Sequence, residues 1–297
     1  MSTVEIHNLT KKFGKFTALD KVNMEVNAGE IYGFIGPNGA GKTTTIRVLL
    51  GIMKATDGSA AIFGKDVWRD AVEIHKNIAY VPGDVNLWPN LTGGEVIDLF
   101  VRLRKGNNKS HREELIQRFE LDPSKKCRTY SKGNRQKVAL VAAFASDADL
   151  YILDEPTSGL DPLMEKVFQE CVTDVKKEGK SVLLSSHILQ EVERLCDKVS
   201  IIRDGRIIDT GTLDDLRHLT RTSVKVETER PIEGLETMQG VHDIVRNLNG
   251  VVGISVDTHE LGAVISNIAQ FGIVKLESTP PTLEEMFMSH YQSEGGK

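Results

Sequence analysis

Nine consecutive residues near the N-terminus have the types and the spacing of a loop that binds phosphate groups. They fit the pattern G-x-x-x-x-G-K-[ST] without a mismatch, and they are Gly36, Pro37, Asn38, Gly39, Ala40, Gly41, Lys42, Thr43 and Thr44. Glycines let successive backbone N–H groups point inward, and a following helix N-terminus favours a polyanion. Lys42 would reach the β and γ phosphates, and the Thr43 hydroxyl would hold Mg²⁺. The stretch predicts a nucleoside triphosphate site, the alternative being a glycine-rich turn before an ordinary helix.

A second chemical group follows more than a hundred residues later. Four apolar residues, 150–153, are followed directly by the carboxylates of Asp154 and Glu155. Asp154 can bind Mg²⁺ directly or through its water ligands, and Glu155 can orient and polarise an attacking water, as phosphoryl transfer requires. The alternative is an acidic strand end that faces solvent, but four consecutive apolar residues favour the sheet centre.

Three isolated residues each have a plain and a chemical interpretation. Phe13 could stack on a base or close a hairpin as a hydrophobic plug. Ser131 precedes an apolar helix at 138–145 and could simply be its N-cap. His187 follows a strand, where ligands bind in open α/β sheets, and it either senses a γ phosphate or caps the strand. Taken singly, these residues favour the plain interpretations.

The elements that must position these residues alternate between strands and helices. Apolar strand patterns at 4–9, 17–26, 30–35, 58–64, 78–82, 150–155 and 181–185 precede a strand pair at 198–203 and 206–210. Residues 86–145 are expected to form a mostly helical insert, and a helix is expected at 164–177. We therefore expect an α/β domain over residues 1–217 with the chemistry at its strand ends.

The last eighty residues, 218–297, are expected to form a small α/β accessory domain. The patterns indicate strands at 223–229, 251–256 and 273–277, and helices at 240–248 and 260–270. Thr282 and Glu285 then fit the capping box of a last helix through residue 291. No catalytic grouping is evident in this region, so a structural or regulatory role is its default interpretation.

Composition narrows the class of protein. Of 297 residues, 27% are charged and 40% hydrophobic, and the longest apolar run, 138–145, is far below the roughly 18 residues that span a bilayer. The first residues lack an export signal, so we expect a cytoplasmic protein. The three cysteines lack metal-site spacing. The net charge is −5, and the sequence has no stripe of basic residues on which nucleic-acid binding could depend.

The order of these motifs resembles the nucleotide-binding subunit of ABC transporters over roughly residues 3–217. The resemblance implies a P-loop NTPase core of the ABC ATPase type with a helical subdomain, and it reverses the plain interpretations above. Phe13 would be the adenine-stacking aromatic and His187 the switch histidine. Glu155, His187 and Lys42 would be the catalytic residues, Thr43 and Asp154 the metal ligands, and Asp161 part of the loop that crosses a dimer.

The sequence departs from the family pattern in two places, the signature and residue 83. The signature Leu-Ser-Gly-Gly-Gln is written here as Tyr-Ser-Lys-Gly-Asn at 130–134. Ser131 and Gly133 survive, and the resemblance implies that they contact the γ phosphate held by the opposite subunit of a head-to-tail dimer. Gly83 stands where the family usually has a glutamine that ligates Mg²⁺ and couples to the membrane partner. Asp84, Asn86 or a water is expected to replace that glutamine.

The C-terminal sequence at 279–287 looks like the tail of ATP-binding subunits of bacterial drug and antibiotic exporters. The resemblance therefore implies an ATP- and Mg²⁺-dependent ATPase that powers export through a separate integral membrane permease, on the inner face of the membrane. Its second ATP-binding subunit would be an identical copy or a related chain. The alternatives are a soluble ABC protein with a non-transport ATPase role and a non-catalytic nucleotide sensor.

Overall fold

A computed structural model of the chain describes residues 2–104, 109–213, 215, 221–246 and 251–279. Its internal contacts divide the chain into two units, Met1–Thr210 and Gly211–Lys297. The division lies seven residues before the boundary at 217/218 that the sequence suggests. No helix within the described ranges is long and apolar enough to cross a membrane.

The first unit contains two sheets. The smaller sheet has the order β2-β1-β4-β5, and its strands are β1 (Ser2–Phe13), β2 (Phe16–Asn27), β4 (Asp57–Ile62) and β5 (Lys65–Asp66). The larger sheet has the order β10-β9-β3-β8-β7-β6, and its strands are β3 (Ile31–Ile35), β6 (Ile78–Val81), β7 (Leu150–Asp154), β8 (Ser181–Ser186), β9 (Lys198–Arg203) and β10 (Arg206–Thr212). From β9 to β6 the neighbouring strands pair in parallel.

The central parallel strands are buried along their whole length because both faces of the sheet are covered. All residues of β3, β7 and β8 are buried, as expected for the centre of a parallel sheet. A single core joins the two sheets to the first helix through side chains such as Ile6, Phe34, Ile46 and Ile152. The carboxyl ends of β3, β7 and β8 therefore reach one edge of a well-packed sheet.

Seven helices belong to this unit in its described ranges: α1 (Lys42–Leu49), α2 (Ala71–His75), α3 (Gly93–Leu103), α4 (Lys109–Arg118), α5 (Lys132–Phe144), α6 (Pro162–Lys177) and α7 (Leu189–Leu195). The expected helical insert corresponds to α3, α4 and α5. Thr92 and Glu95 form a capping box at the start of α3, since each side chain binds the other's backbone N–H. Helix α5 begins six residues earlier than the apolar run at 138 suggested, because Ser131 caps it.

The second unit contains an antiparallel sheet with the order β12-β13-β11-β14. Its strands are β11 (Arg221–Thr228), β12 (Val241–Arg246), β13 (Val251–Asp257) and β14 (Ile273–Thr279), and one helix, α8 (Leu261–Ala269), follows β13. Val226, Ile254, Val264 and Ile268 lie in its core. The helix expected at 282–291 lies outside the described residues.

The helix expected at 240–248 is wrong, because 241–246 form strand β12. Val241, Ile244 and Val245 fit helical spacing, but they are β-branched and pack well on a pleated surface. Pairing with β13, in which Val241 lies opposite Val256, overrides the helical pattern. A register shift between His242 and Val245 also interrupts the strict alternation that would identify a strand.

Candidate functional site

The loop 36–44 connects the end of β3 to the start of α1. Gly41 precedes the helix with φ of 116°, which non-glycine residues rarely adopt. Gly36 has a different constraint: a Cβ there would lie 2.3 Å from the carbonyl oxygen of Ile202. The backbone path of the loop thus depends on glycine at both positions.

Lys42, the first residue of α1, is buried against the loop that precedes it. Its side chain is 4% exposed, and its ammonium donates to the carbonyl oxygens of Gly36 at 2.6 Å and Pro37 at 3.3 Å. The same nitrogen lies 3.5 Å from Oε1 of Glu155. A buried cation held by loop carbonyls and one carboxylate can exchange these contacts for phosphate oxygens.

Thr43 and Asp154 meet directly beside Lys42. The Thr43 hydroxyl donates to Oδ2 of Asp154 at 3.0 Å, and the Ser185 hydroxyl donates to Oδ1. Asp154 is buried at the end of β7, so both of its oxygens are oriented before any ligand binds.

This pair of oxygen groups fits Mg²⁺. The ion prefers oxygen ligands and is commonly held by one or two carboxylates together with waters and substrate phosphates. The described residues contain no cluster of three or more His, Cys, Asp or Glu side chains arranged to hold a metal ion. Thr43 and Asp154 would hold Mg²⁺ together with waters and the phosphate oxygens of a nucleotide.

Glu155 follows Asp154 with a backbone φ of 47°. Its N–H donates to the carbonyl oxygen of Ser185 at 2.9 Å, which ties this turn to the neighbouring strand β8. Nδ1 of His187 lies 3.4 Å from Oε1 of Glu155, and the two side chains are 50% and 27% exposed. The Glu155 carboxylate thus lies between Lys42 and His187, and a nitrogen of each lies within 3.5 Å of its Oε1.

Gly83 lies against the backbone of the carboxylate pair. A Cβ at Gly83 would be 3.2 Å from the carbonyl oxygen of Asp154 and 3.6 Å from Cβ of Glu155. The position therefore adjoins the site, although its side chain is missing. Asp84 and Asn86, the expected substitutes, are both exposed.

The first turn of α5 packs on the turn that follows Glu155. A Cβ on Gly133 would lie 2.4 Å from the carbonyl oxygen of Gly159, and Gln136, which is buried, donates to the carbonyl oxygen of Pro156 at 2.9 Å. Lys132 donates to the Ser158 hydroxyl at 2.7 Å. The lysine of the altered signature is thus directed at the turn that follows Glu155.

Within the described ranges, no hydrogen bond or ion pair links the side chains of Ser131, Phe13 and Asp161 to the residues described above, Lys42, Thr43, Asp154, Glu155 and His187. Ser131 is exposed, and its hydroxyl accepts from the N–H of Asn134 at 3.2 Å as the N-cap of α5. Phe13 is 48% exposed, and the ammonium of Lys11 lies 5.1 Å from its ring centroid. Among the described residues, no hydrogen bond or ion pair joins Ser131 or Asp161 to Lys42.

Asp161 has a local structural function in the chain. Its carboxylate accepts from the N–H groups of Leu163 at 3.1 Å and Met164 at 3.0 Å, so it caps α6. Pro162 at the first helical position reinforces this helix start. We expected Asp161 to be a nucleotide-binding residue in the loop that crosses a dimer, and the structure shows that its carboxylate caps α6.

Two further residues near the site, Ser185 and Glu191, were not predicted from the sequence. Ser185 orients Asp154, and Glu191 lies buried behind His187. Burial, together with the smaller effects of the Glu165 and Glu155 charges, raises the pKa of Glu191 to about 7. The sequence feature that could have identified Ser185 is its position in a buried strand, where a hydroxyl needs a hydrogen-bond partner. The signal for Glu191 was weaker, since glutamate is common in exposed helices.

The comparisons with known proteins agree with this geometry. The model of the family described as "ABC transporter" matches residues 19–158, and that of "ATP-binding protein DrrA1-3-like, C-terminal domain" matches residues 211–291. An ABC transporter ATP-binding protein of Bacillus subtilis, YhcH, is 33% identical over 97% of this chain and 96% of its own length. The bacitracin transport ATP-binding protein BcrA of Bacillus licheniformis is 31% identical over 97% of each chain.

Solved structures show the same likeness. The ATP-binding subunit of an ABC transporter is 35% identical with a TM-score of 0.68, covering 73% of this chain and 92% of its own. A dimeric bacterial ABC transporter cassette is 25% identical with a TM-score of 0.65, covering 71% and 98%. With the P-loop, the carboxylate pair and His187 at one sheet edge, the chain belongs to the ABC transporter ATP-binding proteins, as an ATP-hydrolysing subunit.

Proposed function

We propose that this subunit hydrolyses ATP to drive the export of drugs, antibiotics or other hydrophobic compounds through a separate integral membrane permease. It would act on the cytoplasmic face of the membrane as one of two ATP-binding subunits. Two identical copies are the simpler arrangement, and a pair with a related subunit is the alternative.

The observation that carries the proposal is the meeting of five side chains at the carboxyl ends of β3, β7 and β8. Lys42 and Thr43 come from the loop, Asp154 and Glu155 from the end of β7, and His187 from the segment after β8. The contacts among them span 3.0 to 3.5 Å. They provide a cation, a metal-binding pair and a carboxylate beside a histidine, which are the parts that phosphoryl transfer uses.

Hydrolysis would begin with an exchange of contacts at Lys42. The ammonium leaves the loop carbonyls and Glu155 for the β and γ phosphates, and this frees the Glu155 carboxylate to orient a water. The water oxygen bonds to the γ phosphorus as the bond to the β–γ bridging oxygen breaks, and the water proton passes to the products. His187 would contact the γ phosphate, and Mg²⁺, when bound, would neutralise phosphate charge.

Ser131 and Gly133 would complete the site of the opposite subunit. Ser131 is exposed at the N-terminus of α5, a position from which a hydroxyl and backbone N–H groups can face a phosphate. We propose a head-to-tail dimer in which each nucleotide lies between Lys42 of one subunit and Ser131 of the other. ATP would close this dimer and hydrolysis would open it.

The direction of transport and the class of cargo rest on relatives. The bacitracin-transport protein matches over nearly the whole chain, and the DrrA-like model matches the C-terminal unit. The bacitracin-transport relative, together with the resemblance of the sequence at 279–287 to the tail of drug and antibiotic exporters, supports export of antibiotics or similar compounds. Deleting the gene should increase sensitivity to such compounds, and Lys42→Ala should fail to restore resistance that the parental chain restores. Equal resistance of the deletion and parental strains across a compound panel would contradict an export role.

The hydrolytic role is tested by Glu155→Gln, with Glu178→Gln as a control because Glu178 is exposed at the end of α6. The amide keeps the shape but polarises water poorly, so we expect a loss of at least about a hundredfold in turnover with ATP binding retained. ATP should then accumulate in a stable dimer, detectable by gel filtration. Turnover of Glu155→Gln at the parental rate would contradict the role.

A further inference from the structure

A buried carboxylate lies behind the segment that carries His187. Glu191, in the first turn of α7, is 5% exposed. Its Oε2 accepts from the Ser186 hydroxyl at 2.7 Å, and the Ser186 oxygen accepts from the N–H of Ile188 at 2.9 Å. These two bonds hold the residues on both sides of His187 to one side chain. The segment after β8 is thus fixed from within the protein.

The same carboxylate interacts with the turn that follows Glu155. The hydroxyl of Thr157, a residue that is also buried, lowers the pKa of Glu191, as does the hydroxyl of Ser186. Thr157 is only two residues beyond Glu155 in the chain. The hydrogen bond that the structure shows at the Glu191 carboxylate is the one from Ser186, the residue before His187.

Burial of this group is costly, which argues against a role in packing alone. Oε1 of Glu191 has no hydrogen-bond partner among the described residues. An unsatisfied buried oxygen lowers stability, and an apolar side chain of similar size would avoid that cost. The charged groups that face the carboxyl include Glu155 and Glu165, and both disfavour its ionised form. The buried thiol of Cys196 also lies within its influence.

We propose that Glu191 is a positioning residue for ATP hydrolysis, which holds the segment that bears His187 through the Ser186 hydroxyl. The inference rests on the proposed role of His187. Glu191 would touch neither the nucleotide nor the reacting water and would act through Ser186. Loss of its acceptor oxygen would let the segment after β8 shift.

The test compares Glu191→Ala and Glu191→Gln in the full chain, with Glu178→Ala as the exposed control. The amide oxygen of Gln can still accept the Ser186 hydroxyl, whereas Ala cannot. We expect Glu191→Ala to lower kcat about tenfold or more, with KM for ATP and nucleotide affinity within about twofold of the parent. Glu191→Gln should keep most of the parental kcat. Parental kcat in Glu191→Ala, equal losses in both variants, or a loss confined to KM would each overturn the proposal.

His187→Ala separates this inference from the proposed function. If Glu191 acts on His187, adding Glu191→Ala to His187→Ala should lower kcat by much less than it does in the parental chain. Equal effects of Glu191→Ala in both backgrounds would overturn the inference. Parental turnover in His187→Ala alone would instead contradict the role proposed for His187. An impaired His187→Ala combined with an unimpaired Glu191→Ala refutes only the inference.

Thermal stability gives an independent readout of the buried carboxyl. The folded-state pKa, about 7, lies above the ordinary value for glutamate. The stabilisation linked to protonated Glu191 is therefore lost as pH rises through that value, whereas Gln does not titrate. The Tm of Glu191→Gln relative to the parent should rise between about pH 5 and about pH 8. A difference in Tm that does not change with pH would contradict the buried carboxyl.

Discussion

At the scale of single residues, the most unusual feature of the site is Gly83. The backbone comes within contact distance of the Asp154 carbonyl, since a Cβ there would be 3.2 Å away. The position is therefore where a metal ligand would be useful, and a glycine provides none. The Thr43 hydroxyl and the Asp154 carboxylate are left as the protein oxygens identified for Mg²⁺.

Restoring a side chain at Gly83 should tighten metal binding. We expect Gly83→Gln to lower the Mg²⁺ concentration that supports half-maximal ATPase activity by about threefold or more, because its amide oxygen is a suitable ligand. Gly83→Ala is the matched control, since it introduces the same Cβ without the amide. A Mg²⁺ titration of the two variants measures the effect. Identical Mg²⁺ titration curves for Gly83→Gln and Gly83→Ala would contradict a position for residue 83 beside the metal site.

The residues most accessible to prediction from sequence were those in local patterns. Lys42 and Thr43 belong to one continuous motif, and Asp154 ends an apolar strand. Glu191 could not be found in this way, because its importance depends on burial against Ser186, which is a property of the folded chain. The contact of Lys132 with Ser158 likewise depends on two segments that are 26 residues apart.

At the scale of elements, the N-terminus of α5 is joined to the turn 156–159. The backbones meet at Gly133 and Gly159, and Lys132 and Gln136 add hydrogen bonds on either side. A movement of α5 would therefore be transmitted to the residues that follow Glu155. This link connects the surface proposed to face the opposite subunit with the hydrolytic carboxylate of the same subunit.

Gly133→Ala tests this link. Its Cβ would lie 2.4 Å from the Gly159 carbonyl oxygen, so the turn must move. We expect a loss of turnover of about tenfold or more and a loss of stability of about 1–3 kcal/mol, typical of overpacking. Gly262→Ala is a suitable control, because a Cβ on this helical glycine meets open space. Parental turnover in Gly133→Ala would show that the contact does not matter for hydrolysis.

Element types followed from the sequence wherever burial and periodicity agreed. The apolar run at 150–153 correctly indicated a central strand, β7, and strands were correctly expected at β3 and β8. Strand β12 was predicted as a helix because its apolar spacing fits a helical period, and only its pairing with β13 decides otherwise. The start of α5 was also misplaced, since its first turn is polar and faces the turn 156–159 rather than a core.

At the scale of the whole molecule, one chain holds two parts of a site that do not meet within it. Lys42 lies at the start of α1, and Ser131 is exposed at the start of α5, with no hydrogen bond or ion pair to Lys42 within the described ranges. In the proposed head-to-tail dimer, the second subunit would bring its Ser131 to a phosphate held by Lys42. The second unit, which contains β11 to β14 and α8, provides none of the five converging side chains.

The central claim is that each ATP site is shared between two subunits, and mixing two inactive variants tests it most directly. Lys42→Ala removes the phosphate-binding cation, and Ser131→Arg blocks the surface offered to the opposite site. Each variant alone should be inactive in ATP hydrolysis. In a mixed dimer, one site combines both defects, whereas the other has the intact Lys42 of one chain and the intact Ser131 of the other.

The measurement is the ATPase rate of an equimolar mixture of the two variants, compared with each variant alone. Mixed dimers should form about half of the population, each with one intact site, so we predict recovery to about a quarter of the parental rate. A mixture no more active than the sum of its separate components would contradict the shared site.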